Sequence, residues 1–380
     1  MEGIFERISQ WTGRWRSQLP ARDTIIGKES LRTPPTNQQG MVTMEYKIDE
    51  SNLISTQEWS TEIIKHVLKL GRDIKERPGR YHDALKRKSL CMYFFNPSLR
   101  TRNSFEVGIN QMGGHGVFID AKTSWLGQGS ESVKDTASVL SRYHDLIAIR
   151  MFPNIVNWEW MKCNTQLRAF AKYSSVPVIN MEDDLFHPCQ GLTDAFTIKE
   201  RLKRFQGRKI AITWAYHPKP LPMAVPDSIL LISTRLGMDV TFTRPDANFD
   251  LDDGIMELAE KNAKISGGTF EISSNMLEAC EGADVVYVKS WGSKNFYGDP
   301  RPEKKLRIQY RTPANNWMLD ERKMDATGKE AIFMHCLPVR RNIVVTDEVM
   351  DGEKSVVYDQ AENRMHVQKA IMKFLGDQDS

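Results

Sequence analysis

The run 98–102, Ser-Leu-Arg-Thr-Arg, places two hydroxyl groups and two guanidinium groups within five residues. Guanidinium groups bind phosphate oxygens through paired hydrogen bonds, and hydroxyl groups supply further donors. An apolar run over 90–95 precedes it and predicts a buried strand, whereas Phe105, Ile109 and Met112 follow at helical spacing. The run should therefore lie at a helix N-terminus, where free backbone N–H groups bind anions. A capped surface helix with two solvated arginines has the same pattern.

Further polar groups follow other predicted strands. Strands are predicted over 146–149, 176–181, 283–288 and 332–334, and each is followed at once or within a few residues by a candidate: Arg150, His187, Lys289 and His335-Cys336. Ligands of parallel sheets bind beyond the carboxyl ends of the strands, so this shared position predicts one polar site. Taken singly, His187 equally fits a buried structural histidine, and Arg150 and Lys289 equally fit solvated charges.

The rest of the chain alternates between strand and helix patterns. Strands are also predicted over 116–120, 209–215, 238–243 and 269–273, and helices over 133–142, 228–235, 254–264, 276–280 and from 361 onward. Such alternation indicates an α/β protein with parallel sheets and helices on both faces. With 380 residues, the chain is long enough for two domains of ordinary size.

The composition, 40% hydrophobic and 27% charged, is that of a globular protein. A net charge of +3 is too small to predict nucleic-acid binding, which stays a weak alternative for the basic N-terminal segment. No apolar run approaches the roughly 18 residues of a membrane span, and no hydrophobic signal sequence is evident. The five cysteines are scattered without a CxxC pair, which predicts reduced thiols, no metal site and a cytoplasmic location.

Residues 1–50 differ from the rest of the chain. The segment 33–40 has the Pro, Thr, Asn and Gln content of a linker, and an arginine-rich piece precedes it. Glu2, Glu6 and Asp23 argue against a transit peptide, since such peptides are poor in acidic residues. We expect a disordered or loosely docked extension.

Three loops have unusual compositions. Residues 216–222 contain three prolines, which predicts a stiff, extended loop. The stretch 289–316 is expected to be largely structureless and therefore functional or mobile. Trp125 lies in a loop rich in Gly and Ser, where it fits a cover over a site, a contact with a neighbouring subunit, or a plain surface anchor.

Five motifs in this order resemble the aspartate and ornithine carbamoyltransferase family. They are Ser98-Leu-Arg-Thr-Arg102, Arg150, His187-Pro-Cys-Gln190, His335-Cys-Leu-Pro338 and Glu362-Asn-Arg364, and the resemblance covers about 55–375. Three further segments are similar to the branch that acts on N-acetylornithine or N-succinylornithine: 214–221, 288–292 and 338–342.

The resemblance implies two doubly wound α/β domains with parallel sheets. It implies carbamoyl phosphate binding by 51–185 together with the C-terminal helix 360–375, and amino-acid binding by 186–358. A deep knot would form in the second of these domains, where a later segment passes through the proline-rich loop. The resemblance also implies a homotrimer with active sites between subunits. The loop around Trp125 of each subunit would reach into the active site of its neighbour.

The implied reaction transfers the carbamoyl group of carbamoyl phosphate to the δ-amine of an N2-acylated ornithine in arginine biosynthesis, without a metal or another cofactor. The implied catalytic residues are Thr101, Arg150, His187 and Cys336. Carbamoyl phosphate would be bound by Ser98, Leu99, Arg100, Thr101, Arg102, Trp125, Arg150, His187, Gln190, Cys336, Leu337 and Arg364. The amino-acid substrate would be bound by Lys289, Arg340 and either Glu182 or Asp183. Cys336 is implied to position the substrate, although a thiol beside His335 also fits a nucleophile.

Two positions depart from the N-acetylornithine pattern. Val344 stands where those enzymes carry lysine, and Ser132 lies in a shortened loop at the place that distinguishes acetyl from succinyl substrates. The short loop resembles that of ornithine carbamoyltransferase, so free ornithine is the alternative substrate. Lys289 favours an acylated amine, because it would repel a free α-ammonium group. A silent paralogue that only binds carbamoyl phosphate is the alternative from a different class.

Overall fold

The first of two parallel sheets lies between residues 89 and 182 of the computed structural model, which describes residues 49–153, 159–312 and 315–377. Its strands are β1 (Ser89–Phe94), β2 (His115–Asp120), β3 (Leu146–Arg150) and β4 (Val178–Glu182). They pair in the order β2-β1-β3-β4, all parallel. The expected extension over 1–50 lies outside the described residues except for Asp49 and Glu50.

The second sheet has five parallel strands. They are β5 (Lys209–Trp214), β6 (Asp239–Thr243), β7 (Thr269–Ser273), β8 (Val285–Lys289) and, after the short antiparallel pair β9 (Arg311–Thr312) and β10 (Asn315–Asn316), β11 (Ile332–Met334). The strand order is β11-β8-β5-β6-β7. The two central strands β5 and β8 are almost wholly buried, as expected where helices cover both faces. The predicted α/β fold with parallel sheets is confirmed.

Helices connect the strands and join the two sheets. They are α1 (Thr61–Glu76), α2 (Leu99–Asn110), α3 (Val133–Leu140), α4 (Lys162–Tyr173), α5 (Pro188–Leu202), α6 (Ala224–Arg235), α7 (Asp253–Ser266), α8 (Met276–Cys280), α9 (Pro300–Ile308), α10 (Glu321–Asp325), α11 (Asp347–Met350) and α12 (Val357–Gly376). The long helix α12 packs against α1, α2 and α5, and its apolar side chains Val367, Ile371 and Leu375 are fully buried. The last helix is therefore packed into the interior of the protein along much of its length.

Two expectations about the chain after β8 are wrong. The stretch 289–316 contains the helix α9, which Asp299 caps by accepting a hydrogen bond from Arg301 N. Pro300 suits the first turn, where a backbone N–H has no helical partner. Prolines and charges dominate this helix, so it lacks the apolar periodicity that predicts one. The last helix begins at Val357 rather than near 361, which places Arg364 in its third turn. The knot and the domain limits stay predictions.

The described ranges offer neither a membrane span nor a metal cluster. Within them, no helix is long and apolar enough to cross a membrane. Across the same residues, no three His, Cys, Asp or Glu side chains are grouped so that they could hold a metal ion. All five cysteines are free thiols, and Cys336 alone among them is partly exposed.

Candidate active site

The N-terminus of α2 follows β1 directly, as predicted. Ser98 has an extended backbone, with a φ of −153°, and its Oγ accepts a hydrogen bond from Thr101 N at 3.2 Å. Asn96 anchors the preceding turn, because its Oδ1 accepts a hydrogen bond from Phe152 N at 2.7 Å, just beyond β3. Helix N-termini leave backbone N–H groups without helical partners, so the anchored turn is suited to an anion.

The ends of β3 and β4 meet in a buried ion pair. Arg150 Nη1 donates to Glu182 Oε2 at 2.5 Å, and the same nitrogen lies 3.4 Å from Thr101 Oγ1. The two residues are register partners on the neighbouring parallel strands, which explains how residues 32 positions apart come into contact. Arg150 Nε is buried without a partner, so the guanidinium group retains a donor for a ligand.

Arg364 of α12 joins three of the predicted motifs. Its Nη2 donates to Thr101 Oγ1 and lies 3.1 Å from His187 Nε2. Its Nη1 donates to Gln190 Oε1 at 3.3 Å. The last helix therefore completes a cluster that begins at α2 and at the start of α5.

His187 is a neutral imidazole in this cluster. A guanidinium group can only donate, so His187 Nε2 accepts from Arg364 and the ring proton is on Nδ1. Burial, followed by the charges of Arg364, Arg150 and Lys289, lowers the pKa of His187 well below its usual value. A neutral imidazole can donate a hydrogen bond to a carbonyl oxygen without carrying a charge of its own.

Asp194 orients two glutamine side chains. Its Oδ1 accepts hydrogen bonds from Gln190 Nε2 at 2.7 Å and from Gln360 Nε2 at 2.6 Å. The amide oxygens then face the site: that of Gln190 accepts from Arg364, and that of Gln360 accepts from His335 N at 3.0 Å. Burial raises the pKa of Asp194 to about 7. The carboxyl group thus decides which end of Gln190 a ligand meets.

The segment after β11 contributes backbone groups and a thiol. His335 Nδ1 accepts a hydrogen bond from Leu337 N at 2.8 Å, so the proton of a neutral His335 is on Nε2. Leu337 has a φ of +57°, a left-handed conformation that leucine rarely adopts and that is most often found at functional sites. Burial raises the pKa of the Cys336 thiol above its usual value, which argues against a thiolate nucleophile.

A cavity of about 280 Å³ opens beside these groups. It is lined by Arg100, Asn103, Ser104, Val107, Gln190, His335, Cys336, Gln360, Ala361, Glu362, Arg364 and Met365. Four of the five predicted motifs therefore contribute to the lining of one space. Three of them follow strands, as the shared position predicts, and the fourth is Glu362-Asn-Arg364 of α12.

The charge around the cavity favours an anion. Burial, followed by the charges of Lys289 and Arg100, lowers the pKa of His335 well below its usual value. Lys289 is only 8% exposed at the end of β8, and Arg150 and Arg364 are buried nearby. Such a concentration of buried cations is favourable when a ligand brings negative charge into the site.

Two sequence models of one family match most of the chain. The carbamoyl-P binding domain of the aspartate/ornithine carbamoyltransferases matches residues 51–200, and their Asp/Orn binding domain matches residues 222–375. The chain belongs to this family. The resemblance drawn from the five motifs and the prediction of a carbamoyltransferase are confirmed.

Individual carbamoyltransferases are similar over most of their length. The N-acetylornithine carbamoyltransferase of Xanthomonas axonopodis pv. citri is 44% identical over 340 residues, which cover 86% of this chain and 97% of that protein. The ornithine carbamoyltransferase of Thermococcus kodakarensis is 38% identical, with coverage of 84% and 95%. A crystal structure of acetylornithine transcarbamylase complexed with acetylcitrulline has a TM-score of 0.79 at 42% identity, with coverage of 85% and 98%.

Several predicted site residues of this carbamoyltransferase lie outside the Arg364 cluster. Arg102 pairs with Glu106 at 3.2 Å and its Cζ lies 3.7 Å from the centre of the Phe118 ring. Leu99 and Trp125 are 74% and 68% exposed, so neither side chain is enclosed within one subunit. Their roles in ligand binding stay predictions.

The residues predicted to decide the amino-acid substrate lie in different surroundings. Arg340 is exposed, and Ser132 caps α3 by accepting a hydrogen bond from Asp135 N at 3.0 Å. Val344 is 2% exposed and belongs to the main hydrophobic core. Val344 therefore contributes aliphatic packing and no charged group at this position.

Asp183 is a structural residue, which leaves Glu182 as the candidate for binding the amino-acid substrate. Asp183 Oδ1 accepts hydrogen bonds from Leu185 N and Phe186 N, and its Oδ2 accepts from two asparagine side chains. Both oxygens are thus used within the fold, whereas Glu182 faces Arg150 and lies 3.5 Å from His187 Nε2.

Sequence reasoning missed Asp194 and Gln360. Asp194 lies four residues after Gln190 and therefore on the same face of α5, a spacing that could have identified it. Gln360 had no comparable signal, because the start of α12 was itself predicted too late.

Proposed function

We propose that this carbamoyltransferase transfers the carbamoyl group of carbamoyl phosphate to the δ-amine of an N2-acylated ornithine. The products are the N-acylcitrulline and phosphate, and the reaction serves arginine biosynthesis in the cytoplasm. The observation that carries the proposal is Arg364, whose guanidinium group reaches Thr101, His187 and Gln190 beside a cationic cavity. The N-acetylornithine carbamoyltransferases among its relatives support the choice of amino-acid substrate.

The carbamoyl phosphate end of the site is formed by residues 51–185 and α12. The phosphate group binds at the N-terminus of α2 through Ser98, Arg100, Thr101 and Arg102. Thr101, Arg150 and His187 donate to the carbonyl oxygen, while Gln190 and the backbone near Cys336 and Leu337 accept from the carbamoyl –NH₂ group. Donors placed in advance where negative charge develops contribute on the order of 10²–10³ in rate each.

The neutral δ-amine attacks the carbonyl carbon to give a tetrahedral intermediate. The bond between this carbon and the phosphate oxygen then breaks, and the amine proton ends on the phosphate. Residues 186–358 bind the amino acid, with Lys289 and Arg340 toward its carboxylate. Glu182 of the first domain lies toward its amine. Lys289 disfavours the α-ammonium group of free ornithine, which is the second candidate substrate because of the short loop at Ser132.

The active enzyme is a homotrimer in this proposal. Five large apolar side chains in β2 and in the segment from β2 to β3 are exposed on the single chain: Val117, Phe118, Trp125, Val139 and Tyr143. Exposed apolar side chains that concentrate in one part of a protein mark contact surfaces. In the trimer, the loop around Trp125 covers the carbamoyl phosphate of the neighbouring subunit.

The test offers carbamoyl phosphate with ornithine, N-acetylornithine and N-succinylornithine separately and measures ureido formation. We expect one acylated substrate to exceed ornithine in kcat/KM by about 10² or more, the discrimination that one pocket can supply. If ornithine is used best, the acyl assignment is wrong and the carbamoyl phosphate site stands. If carbamoyl phosphate binds but no amine is carbamoylated, the chain is a silent paralogue.

A further inference from the structure

Arg307 of α9 has a buried guanidinium group whose hydrogen-bond donors all have acceptors, and it lies outside the carbamoyl phosphate site. It is 1% exposed, and its three nitrogens make five hydrogen bonds, which equals the number of N–H donors of arginine. Two of these go to Glu303 one helical turn earlier. Burying such an ion pair is unfavourable unless its hydrogen bonds are complete, so its presence here calls for a function.

The other three hydrogen bonds of Arg307 join two separate loops. Nη1 donates to His217 O at 3.2 Å in the proline-rich loop and to Ser290 Oγ at 3.1 Å directly after Lys289. Nη2 donates to Trp291 O at 2.5 Å. One side chain thus sets the distance between the loop 216–222 and the segment that follows the lysine.

Aromatic packing holds Arg307 in this place. Its Cζ lies 5.2 Å from the centre of a Trp214 ring, and Trp214 Nε1 donates to Trp291 O at 3.0 Å. The two loops also touch directly, since Gly292 N donates to Leu221 O at 2.8 Å. The cluster is therefore held by several mutual contacts, and none of its residues is among those that line the carbamoyl phosphate cavity.

We propose that Arg307 is a positioning residue that sets the amino-acid side of the active site through Lys289 and the proline-rich loop. The inference rests on the proposed function for the role of Lys289. Arg307 holds Ser290 and Trp291, the two residues that directly follow Lys289 at the end of β8. If these hydrogen bonds are lost, the backbone next to Lys289 can move and displace its ammonium group. Small displacements of binding groups reduce rates by up to about 10², and here they affect only one of the two substrates.

The experiment compares the full-length variants Arg307→Met and Arg307→Lys with Arg301→Met, an exposed arginine of the same helix whose side chain is 87% exposed. Initial rates are measured with each substrate varied while the other is saturating. Arg307→Met should raise the KM of the amino-acid substrate about tenfold or more and leave that of carbamoyl phosphate within about twofold. Arg307→Lys should be intermediate, because lysine keeps the charge but not the planar donors. Arg301→Met should match the wild type.

The inference is overturned if both KM values rise equally, if kcat alone falls, or if neither parameter changes. Should Arg307→Met fail to fold, the double variant with Glu303→Gln leaves no unpaired buried carboxylate and carries the same expectation. The wild-type substrate panel separates the two proposals. A wild type that uses free ornithine refutes the acyl assignment, yet the same KM split for ornithine in Arg307→Met would support the role of Arg307.

Discussion

Arg364 Nη2 lies 3.1 Å from His187 Nε2, although the two residues are 177 positions apart in the chain. This contact makes Nε2 an acceptor, so a carbonyl oxygen that is to receive a hydrogen bond from Nε2 must first replace Arg364. Ligand binding and the position of the histidine proton are therefore coupled in this site. The neighbouring hydroxyl group of Thr101 also accepts a hydrogen bond from Arg364, so it provides the most direct test of the donor arrangement.

Thr101→Val should reduce kcat by about 10²–10³. Thr101 Oγ1 accepts from Arg364 and Arg150, which leaves its own hydrogen to donate to the developing oxyanion, and valine keeps only the shape. Steady-state kinetics at saturating substrates measure the effect. Thr165→Val on the exposed surface of α4 is the matched control. A loss below tenfold in the Thr101 variant would remove the hydroxyl group from the mechanism.

Asp194→Asn should impair carbamoyl phosphate binding while it stabilises the fold at high pH. The carboxyl pKa of about 7 exceeds the usual 3.8, so the folded state resists ionisation of Asp194 and loses stability as pH rises from about 4 to about 7. One proton corresponds to about 1.4 kcal/mol per pH unit within this window, so the variant should gain unfolding free energy relative to the wild type between pH 5 and 7.

Urea unfolding at both pH values measures this change. Kinetics should show a KM for carbamoyl phosphate about tenfold higher, because the amide of asparagine can turn its NH₂ group toward Gln190 and no longer fixes the orientation of that side chain. Asp377→Asn, at the exposed end of α12, should change neither quantity. If the variant and the wild type differ in unfolding free energy by the same amount at both pH values, Asp194 does not titrate near neutral pH.

Cys336→Ser should retain activity within about tenfold of the wild type. The thiol has a raised pKa and lies beside a neutral His335, so a thiolate is disfavoured at neutral pH. Initial rates and mass spectrometry during turnover check this expectation. A loss of about 10⁴ or more, together with a carbamoylated thiol in the wild type, would make Cys336 a nucleophile instead.

Gly292→Ala should weaken amino-acid binding and reduce the unfolding free energy by about 1–3 kcal/mol. A Cβ at Gly292 would lie 3.2 Å from Pro220 Cβ and 3.4 Å from Leu221 O, and the three prolines of that loop leave it little freedom to move. Gly79→Ala is the control, since no atom lies within 4 Å of its Cβ position. Equal unfolding free energies of the two variants would mean that the proline-rich loop moves to accommodate the added methyl group.

The strand and helix on either side of Ser98 could be predicted for two reasons. The spacing of the apolar residues changes at this point, and serine is a favoured N-cap residue. The strands followed by Arg150, Lys289 and His335 were predicted for the same local reason. Their common position after parallel strands then placed the candidates in one site without any knowledge of side-chain contacts.

What could not be predicted depends on contacts between distant parts of the chain. The helix α9 has no apolar stripe and forms around Arg307, whose partners His217 and Ser290 are 90 and 17 positions away. Asp194 acts on Gln360 across 166 positions. Arg102 followed the motif, yet Glu106 and Phe118 hold its side chain in the single chain. Such contacts arise when distant segments pack together, and the spacing of residues along the sequence does not reveal them.

The helix α12 also sets the order in which the protein becomes competent during synthesis. Thr101, Arg150 and His187 are translated before the strands of the second sheet, whereas Gln360 and Arg364 are translated after them. A nascent chain therefore has both sheets before it has a complete binding site. Carbamoyl phosphate, which is itself reactive, would meet the proposed catalytic groups in their final arrangement only after translation has reached α12.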